Sequence, residues 1–229
     1  MARTLGRHDL ALAAVLSGTA GFVDAIGYLH LGGFFVSFMT GNTTRAGVEL
    51  SAGQWPSWLL SLGLIAAFLL GVVGGSLVAR RAVRGRARTI LVLVAGMILL
   101  AALAGASPVT VVLAAPLLAA AMGAENTIYS RGGEVAVGLT YITGTIVKMG
   151  QYIAQALTGG PRRTWLRYVV LWLAISGGAV AGAAAYRGVG LGSLVLAAVV
   201  VLGVAVFRGR HLDEAQPVDE GGPSGRGRE

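Results

Sequence analysis

Asp24, Arg45, Glu49, Glu125 and Lys148 are charged side chains that fall inside or at the margins of long apolar runs. A charge at bilayer depth costs about 2.5–3.5 kcal/mol on insertion scales, so each needs a partner or a task. They have polar company. Thr40-Gly41-Asn42 precedes Arg45, Thr143-Gly144-Thr145 precedes Lys148, and Asn126 follows Glu125. Read as one site, each half of the chain supplies an acid (Asp24, Glu125) and a cation (Arg45, Lys148). Each half also supplies a Thr-Gly break whose backbone and hydroxyl groups can face a cavity. That chemistry binds a small polar solute, and the two cations bias it toward anionic or zwitterionic ones. The same residues also read as internal ties. Asp24 would then neutralise Arg45 and Glu125 would neutralise Lys148. Arg45 and Glu49, four apart, would form a local helix pair, or the cations would snorkel to headgroups.

Other chemistry is poorly supplied. Cysteine is absent, which removes disulfides, thiolate nucleophiles and cysteine-ligated metals. His8, His30 and His211 have no partners at ligand spacing, so no metal is expected. Ser17, Ser37 and Ser176 have no histidine nearby, and no phosphate-binding loop follows a strand. The expectation is a non-enzymatic protein with no cofactor.

Stepping from the residues to what positions them, the two polar breaks are copies. The Thr-Gly pairs at 40–41 and 143–144 lie 103 residues apart, as do Arg45 and Lys148, and as do Gly74-Gly75 and Gly177-Gly178. Gly21-Phe22-Val23-Asp24 corresponds to Gly123-Ala124-Glu125-Asn126 at an offset of 102. One unit is therefore present twice, from about 9–104 and about 109–207.

The 229 residues are 55% hydrophobic and 12% charged, against roughly 25% charged in soluble domains. Apolar runs long enough for a bilayer of about 30 Å recur along the chain. They are 10–29, 57–79, 89–104, 109–129, about 165–185 and 190–207. The first has the basic start of a signal peptide, but its length, Asp24 and its place in the repeat predict a retained helix. Breaks are expected at 32–54 and 135–157, turns at 105–108, 131–133 and 187–188, and a disordered tail over 208–229. The net charge of +8 sits at the ends of the runs, as topogenic arginine does, and offers no basic face for nucleic acid. Gly71/Gly75 and Gly178/Gly182 are small-residue pairs that favour close packing within the chain and leave room for a homo-oligomer.

Arginine decides the topology. If both breaks crossed fully, eight spans would place seven of fourteen flanking arginines on each side. If both re-enter, six spans place thirteen of the fourteen on the cytoplasmic side. The expected fold is an all-α polytopic domain over 1–207: six transmembrane helices in two inverted three-span repeats, each with a re-entrant Thr-Gly segment, and both termini cytoplasmic.

The paired motifs Gly21–Ala25 with Phe35–Thr43, and Met122–Asn126 with Thr140–Thr145, resemble those of the YoaK-like bacterial membrane proteins. The resemblance covers about 10–207. It implies a six-span inner-membrane protein of unknown function and supplies no substrate or catalytic residue. It also implies glutamine where Glu125 stands. The functional expectation is a small-solute transporter or channel. The alternatives are a non-catalytic component binding a partner through its basic loop at 80–88, and a membrane-embedded enzyme using Asp24 or Glu125 as acid or base.

Overall fold

The computed structural model describes residues 7–82, 85–128, 130–131, 134–135 and 142–214, with side chains over 10–82, 85–128 and 142–207. Residues 136–141, which include Thr140 and Tyr141 of the second motif, and 215–229 of the tail lie outside the described residues. Eight α-helices are described: α1 Arg7–His30, α2 Met39–Ser51, α3 Trp55–Arg81, α4 Arg86–Ala104, α5 Ala114–Glu125, α6 Ile142–Leu157, α7 Leu166–Val189 and α8 Leu194–Glu214. A two-residue antiparallel ladder, Ser130–Arg131 with Glu134–Val135, is the described strand structure.

Four described stretches are long and apolar enough to cross a membrane: Leu10–His30, Trp55–Arg81, Arg86–Ala104 and Leu166–Phe207. The last, 42 residues long, contains both α7 and α8, parted by a short 3-10 turn at Gly190–Ser193. Gly190 has φ +57°, a conformation other residues avoid, and it marks the break. The turn expected at 187–188 therefore falls later, and α8 continues past 207 into the stretch expected as tail. The run expected at 109–129 is helical only from Val111, as a 3-10 turn, to Glu125. Pro116 sits in the first turn of α5, where a missing N–H costs nothing, so it sets the start of the helix rather than kinking its middle. The Thr127 hydroxyl and N–H both turn back to the Ala124 carbonyl, at 2.7 and 3.0 Å, and close its end.

The packing repeats. α1 lies on α7, α3 lies on α5, and α4 lies on α8. A methyl group built on Gly71 would strike the Ala120 backbone, and one on Gly123 would strike the Phe68 carbonyl. Likewise, a methyl on Gly178 would strike Gly18, one on Gly182 would strike Phe22, and one on Gly21 would strike Ile175. Both crossings thus bring backbone against backbone within the chain, the role expected of the small-residue pairs. The contacts advance in step along both helices, so α1 runs parallel to α7 and α3 parallel to α5. The end of α4 meets the start of α8, where Gly105 abuts Leu191, so that pair is antiparallel. Buried Ile90, Leu91, Val94, Ile98, Leu194, Ala198 and Val201 fill the seam between them.

Gly74 and Gly177 have open space where a side chain would go, whereas their neighbours Gly75 and Gly178 are in contact. Gly178→Val is expected to lower stability by about 1–3 kcal/mol through overpacking, and Gly177→Val by far less. Thermal unfolding in detergent, followed by size-exclusion chromatography, reads both. Equal losses at 177 and 178 would contradict the crossing.

Candidate functional site

The site grows from the reversal after α1. Gly32 (φ +64°) and Gly33 (φ +101°) turn the chain, and residues 34–38 fold back along the last turns of α1. This segment is not helical, so its backbone needs partners from elsewhere. Asp24 and Asn42 supply them. The Asp24 Oδ1 accepts the N–H of Val36 at 2.9 Å and of Ser37 at 2.7 Å. The fully buried Asn42 clamps Phe35 from both sides: its Oδ1 accepts the Phe35 N–H at 3.0 Å and its Nδ2 donates to the Phe35 carbonyl at 2.7 Å.

The break therefore lies before the Thr-Gly pair. Thr40 and Gly41 already belong to the first turn of α2, as Thr143 and Gly144 belong to that of α6. The hydroxyls of Thr43 and Thr44 turn inward onto the helix, bonding the carbonyls of Met39 and Thr40. Gly41 faces no open space, because the rings of Phe35 and Phe38 close over it. Thr40 is exposed.

The expected pairing of Asp24 with Arg45 is replaced by the local alternative. Arg45 bonds Glu49 one turn on, through Nε at 3.1 Å and Nη2 at 2.9 Å. It also donates to the Gly33 carbonyl and stacks 3.7 Å from the centroid of Phe34. Glu49 reaches on to the Ser61 hydroxyl of α3 at 3.1 Å. Asp24 has no cation to pair with there because its carboxylate is already engaged by the loop backbone and Arg45 is held on the far side of the turn.

In the second half, Glu125 is fully buried at the end of α5, neither carboxylate oxygen is hydrogen-bonded among the described residues, and it forms no ion pair with Lys148. Asn126 bonds back to the Met122 carbonyl at 2.8 Å. Gly144, Thr145 and Lys148 are half-buried on α6, and Thr143 is exposed. α6 packs on α7, where Tyr152 stacks on Tyr168 at 5.3 Å. The repeat offset explains the missing pair: the positions matching Arg45 and Glu49 hold Lys148 and Tyr152, so this half has no acid one turn from its cation.

A cavity of about 430 Å³ opens between α1, the returning loop and α7. α1 contributes Gly21, Asp24, Ala25, Tyr28 and Leu29, the loop contributes Phe35, Ser37 and Phe38, and α7 contributes Ile175, Ser176, Ala179 and Ala183, with Ile142 at the head of α6. Of the residues expected to share one site, Asp24 lines this cavity, whereas Thr40, Gly41, Asn42, Arg45, Glu125, Asn126, Thr143, Gly144, Thr145 and Lys148 are not among its described walls. The aromatic wall and the α7 face were not foreseen. Their signal was the spacing 21, 24, 25, 28 on one helix and 175, 176, 179, 183 on the other, one face each.

Asn42→Ala leaves the Phe35 N–H and carbonyl without partners and is expected to destabilise by about 1–3 kcal/mol. Glu49→Gln is expected to destabilise, and adding Arg45→Gln to recover part of the loss, whereas Arg45→Gln and Asp24→Asn are expected to add. Thermal unfolding of the single and double variants checks this. Strict additivity for Arg45 with Glu49 would contradict the pair.

Comparisons with known proteins agree with this architecture. Residues 12–207 match the DUF1275 family, described as proteins of unknown function. The chain is 36% identical over 181 residues to the UPF0700 transmembrane protein RA0705 of Rhizobium meliloti, covering 79% of this chain and 77% of that one. It is 29% identical over 177 residues to the UPF0700 transmembrane protein YoaK of Bacillus subtilis, covering 73% and 78%. No solved structure matches significantly. Long apolar helices, glycine-lined crossings and a family match across the membrane-embedded region lead to one conclusion: the chain belongs to the DUF1275 family and is a helical membrane protein.

Proposed function

We propose that this protein is a multi-pass small-solute transporter or channel of the bacterial inner membrane, with no catalytic step, and that its solute enters the cavity beside Asp24. The observation that carries the reading is that cavity. It lies between α1 and α7 within the apolar helices, and a carboxylate opens into it. A charge placed at that depth in a protein-walled space most often marks a solute or ion path. The proposed topology has six spans, α1, α3, α4, α5, α7 and α8, in two inverted three-span repeats, with α2 and α6 re-entering and both termini cytoplasmic. The antiparallel contact of α4 with α8 supports it, since eight full crossings would make these helices parallel. The arginine distribution supports the same sidedness.

Two experiments test the reading. The chain has no cysteine, so Ala82→Cys gives a single label site. An impermeant thiol reagent applied to intact cells is expected to leave it unmodified, and labelling from outside would contradict the six-span topology. For function, purified protein in liposomes is challenged with panels of small amines, zwitterions and carboxylates while solute entry is read by light scattering. At least one class is expected to enter faster than in empty liposomes, and Ala179→Phe, which fills the cavity from α7, is expected to abolish the difference. No accelerated entry of any class, or flux unchanged by Ala179→Phe, would contradict the proposal.

A further inference from the structure

We propose that the cavity beside Asp24 takes an organic cation, an amine or quaternary ammonium group on a small apolar body, in place of the anion that Arg45 and Lys148 had implied. The inference rests on reading this cavity as the solute site and adds the class of solute. Among the described residues that line it, Asp24 is the one charged side chain. Arg45 is turned away onto Glu49, the Gly33 carbonyl and Phe34, and Lys148 is not among the described walls. The Asp24 carboxyl meets the N–H dipoles of Val36 and Ser37 and, among the described residues, no cationic side chain. A buried carboxylate compensated only by dipoles is best completed by an incoming cation.

The walls agree with that occupant. Tyr28, Phe35 and Phe38 line the cavity as an aromatic cluster, with Tyr28 and Phe35 tilted by 42° at 5.0 Å between centroids and Phe35 and Phe38 edge to face at 5.2 Å. Aromatic faces are negative and attract an ammonium group within about 6 Å. An anion would face the carboxylate and these rings together. The remaining surface, from Ala25, Leu29, Ile175, Ala179 and Ala183, is apolar, with the Ser176 hydroxyl as a polar point. A volume of about 430 Å³ falls within the range of small-ligand sites. A soluble amine and the amine headgroup of a phospholipid share this chemistry.

The test uses full-length protein in phosphatidylglycerol nanodiscs, titrated calorimetrically with benzyltrimethylammonium, benzyl alcohol and benzoate. The cation is expected to bind, and the alcohol and benzoate are not. The amide oxygen of Asp24→Asn can accept the same N–H groups of Val36 and Ser37, so this variant removes the charge while keeping those two bonds, and it is expected to weaken cation binding roughly tenfold or more. Phe38→Leu is expected to weaken it about threefold. Benzoate binding as tightly as the cation, or cation affinity unchanged in both variants, would overturn the proposal. If Asp24→Asn fails to fold, the selectivity of the native protein and Phe38→Leu decide the matter. Repeating the titration with phosphatidylethanolamine in the disc separates the sources: competition assigns the site to a lipid amine, and its absence to a soluble one. Cation binding without solute flux in liposomes would overturn the transport reading alone. Flux of a carboxylate without cation binding would overturn this proposal alone.

Discussion

Non-helical backbone among apolar helices has to be satisfied by protein, because lipid offers no hydrogen bonds. In this fold that requirement falls on the stretch between α1 and α2, and two side chains meet most of it. Asp24 answers the N–H groups of Val36 and Ser37, and Asn42 answers both polar groups of Phe35. The loop so held carries Phe35, Ser37 and Phe38 to the cavity mouth. Gly41 leaves room for the two rings to close against the first turn of α2. Remove either clamp and the aromatic wall loses its support. The carboxylate that organises the loop also lines the cavity.

The second dependence is close approach of backbones. Gly18, Gly21, Gly178 and Gly182 bring α1 onto α7, and Gly71, Gly75 and Gly123 bring α3 onto α5. These crossings occupy matching places in the two halves, yet the chemistry on them differs. Asp24 corresponds to Asn126, and Glu49 to Tyr152. The first half has Asp24 bonded to loop backbone and a satisfied ion pair on its short helix, whereas the second has the buried Glu125 beside Asn126 and a tyrosine stack. Both crossings pack backbone against backbone at glycines, and the cavity lined by Asp24 lies at the crossing of α1 with α7.

Sequence alone conveyed the frame well and the site in part. Periodic apolar runs marked most of the helices and the glycine pairs marked close packing within the chain, because helix length and glycine spacing are local properties, whereas which helix meets which is a tertiary property that only the fold shows. Thr40-Gly41 was misplaced as the break for a physical reason. Glycine beside threonine reads as a polar interruption, but Thr40 and Gly41 lie in the first turn of α2, the hydroxyls of Thr43 and Thr44 are absorbed by helix carbonyls, and the reversal is made upstream by Gly32 and Gly33. Pairing Asp24 with Arg45 failed similarly, since opposite charges in one half invite each other until the loop backbone between them is counted as a donor. The spacing of Ser176 and Ala179 marks them as one helix face, but that face reads as a cavity wall only once the helix opposite it is known.

A hydrated solute site between α1 and α7 admits small charged reagents, whereas a gap filled by lipid excludes them. Ser176 lines it, and in a chain without cysteine Ser176→Cys is a unique reporter. In native membranes this variant is expected to react with a small charged methanethiosulfonate reagent, and benzyltrimethylammonium is expected to slow the reaction. A cysteine at 176 that ignores the charged reagent yet reacts with a lipophilic maleimide would contradict the account.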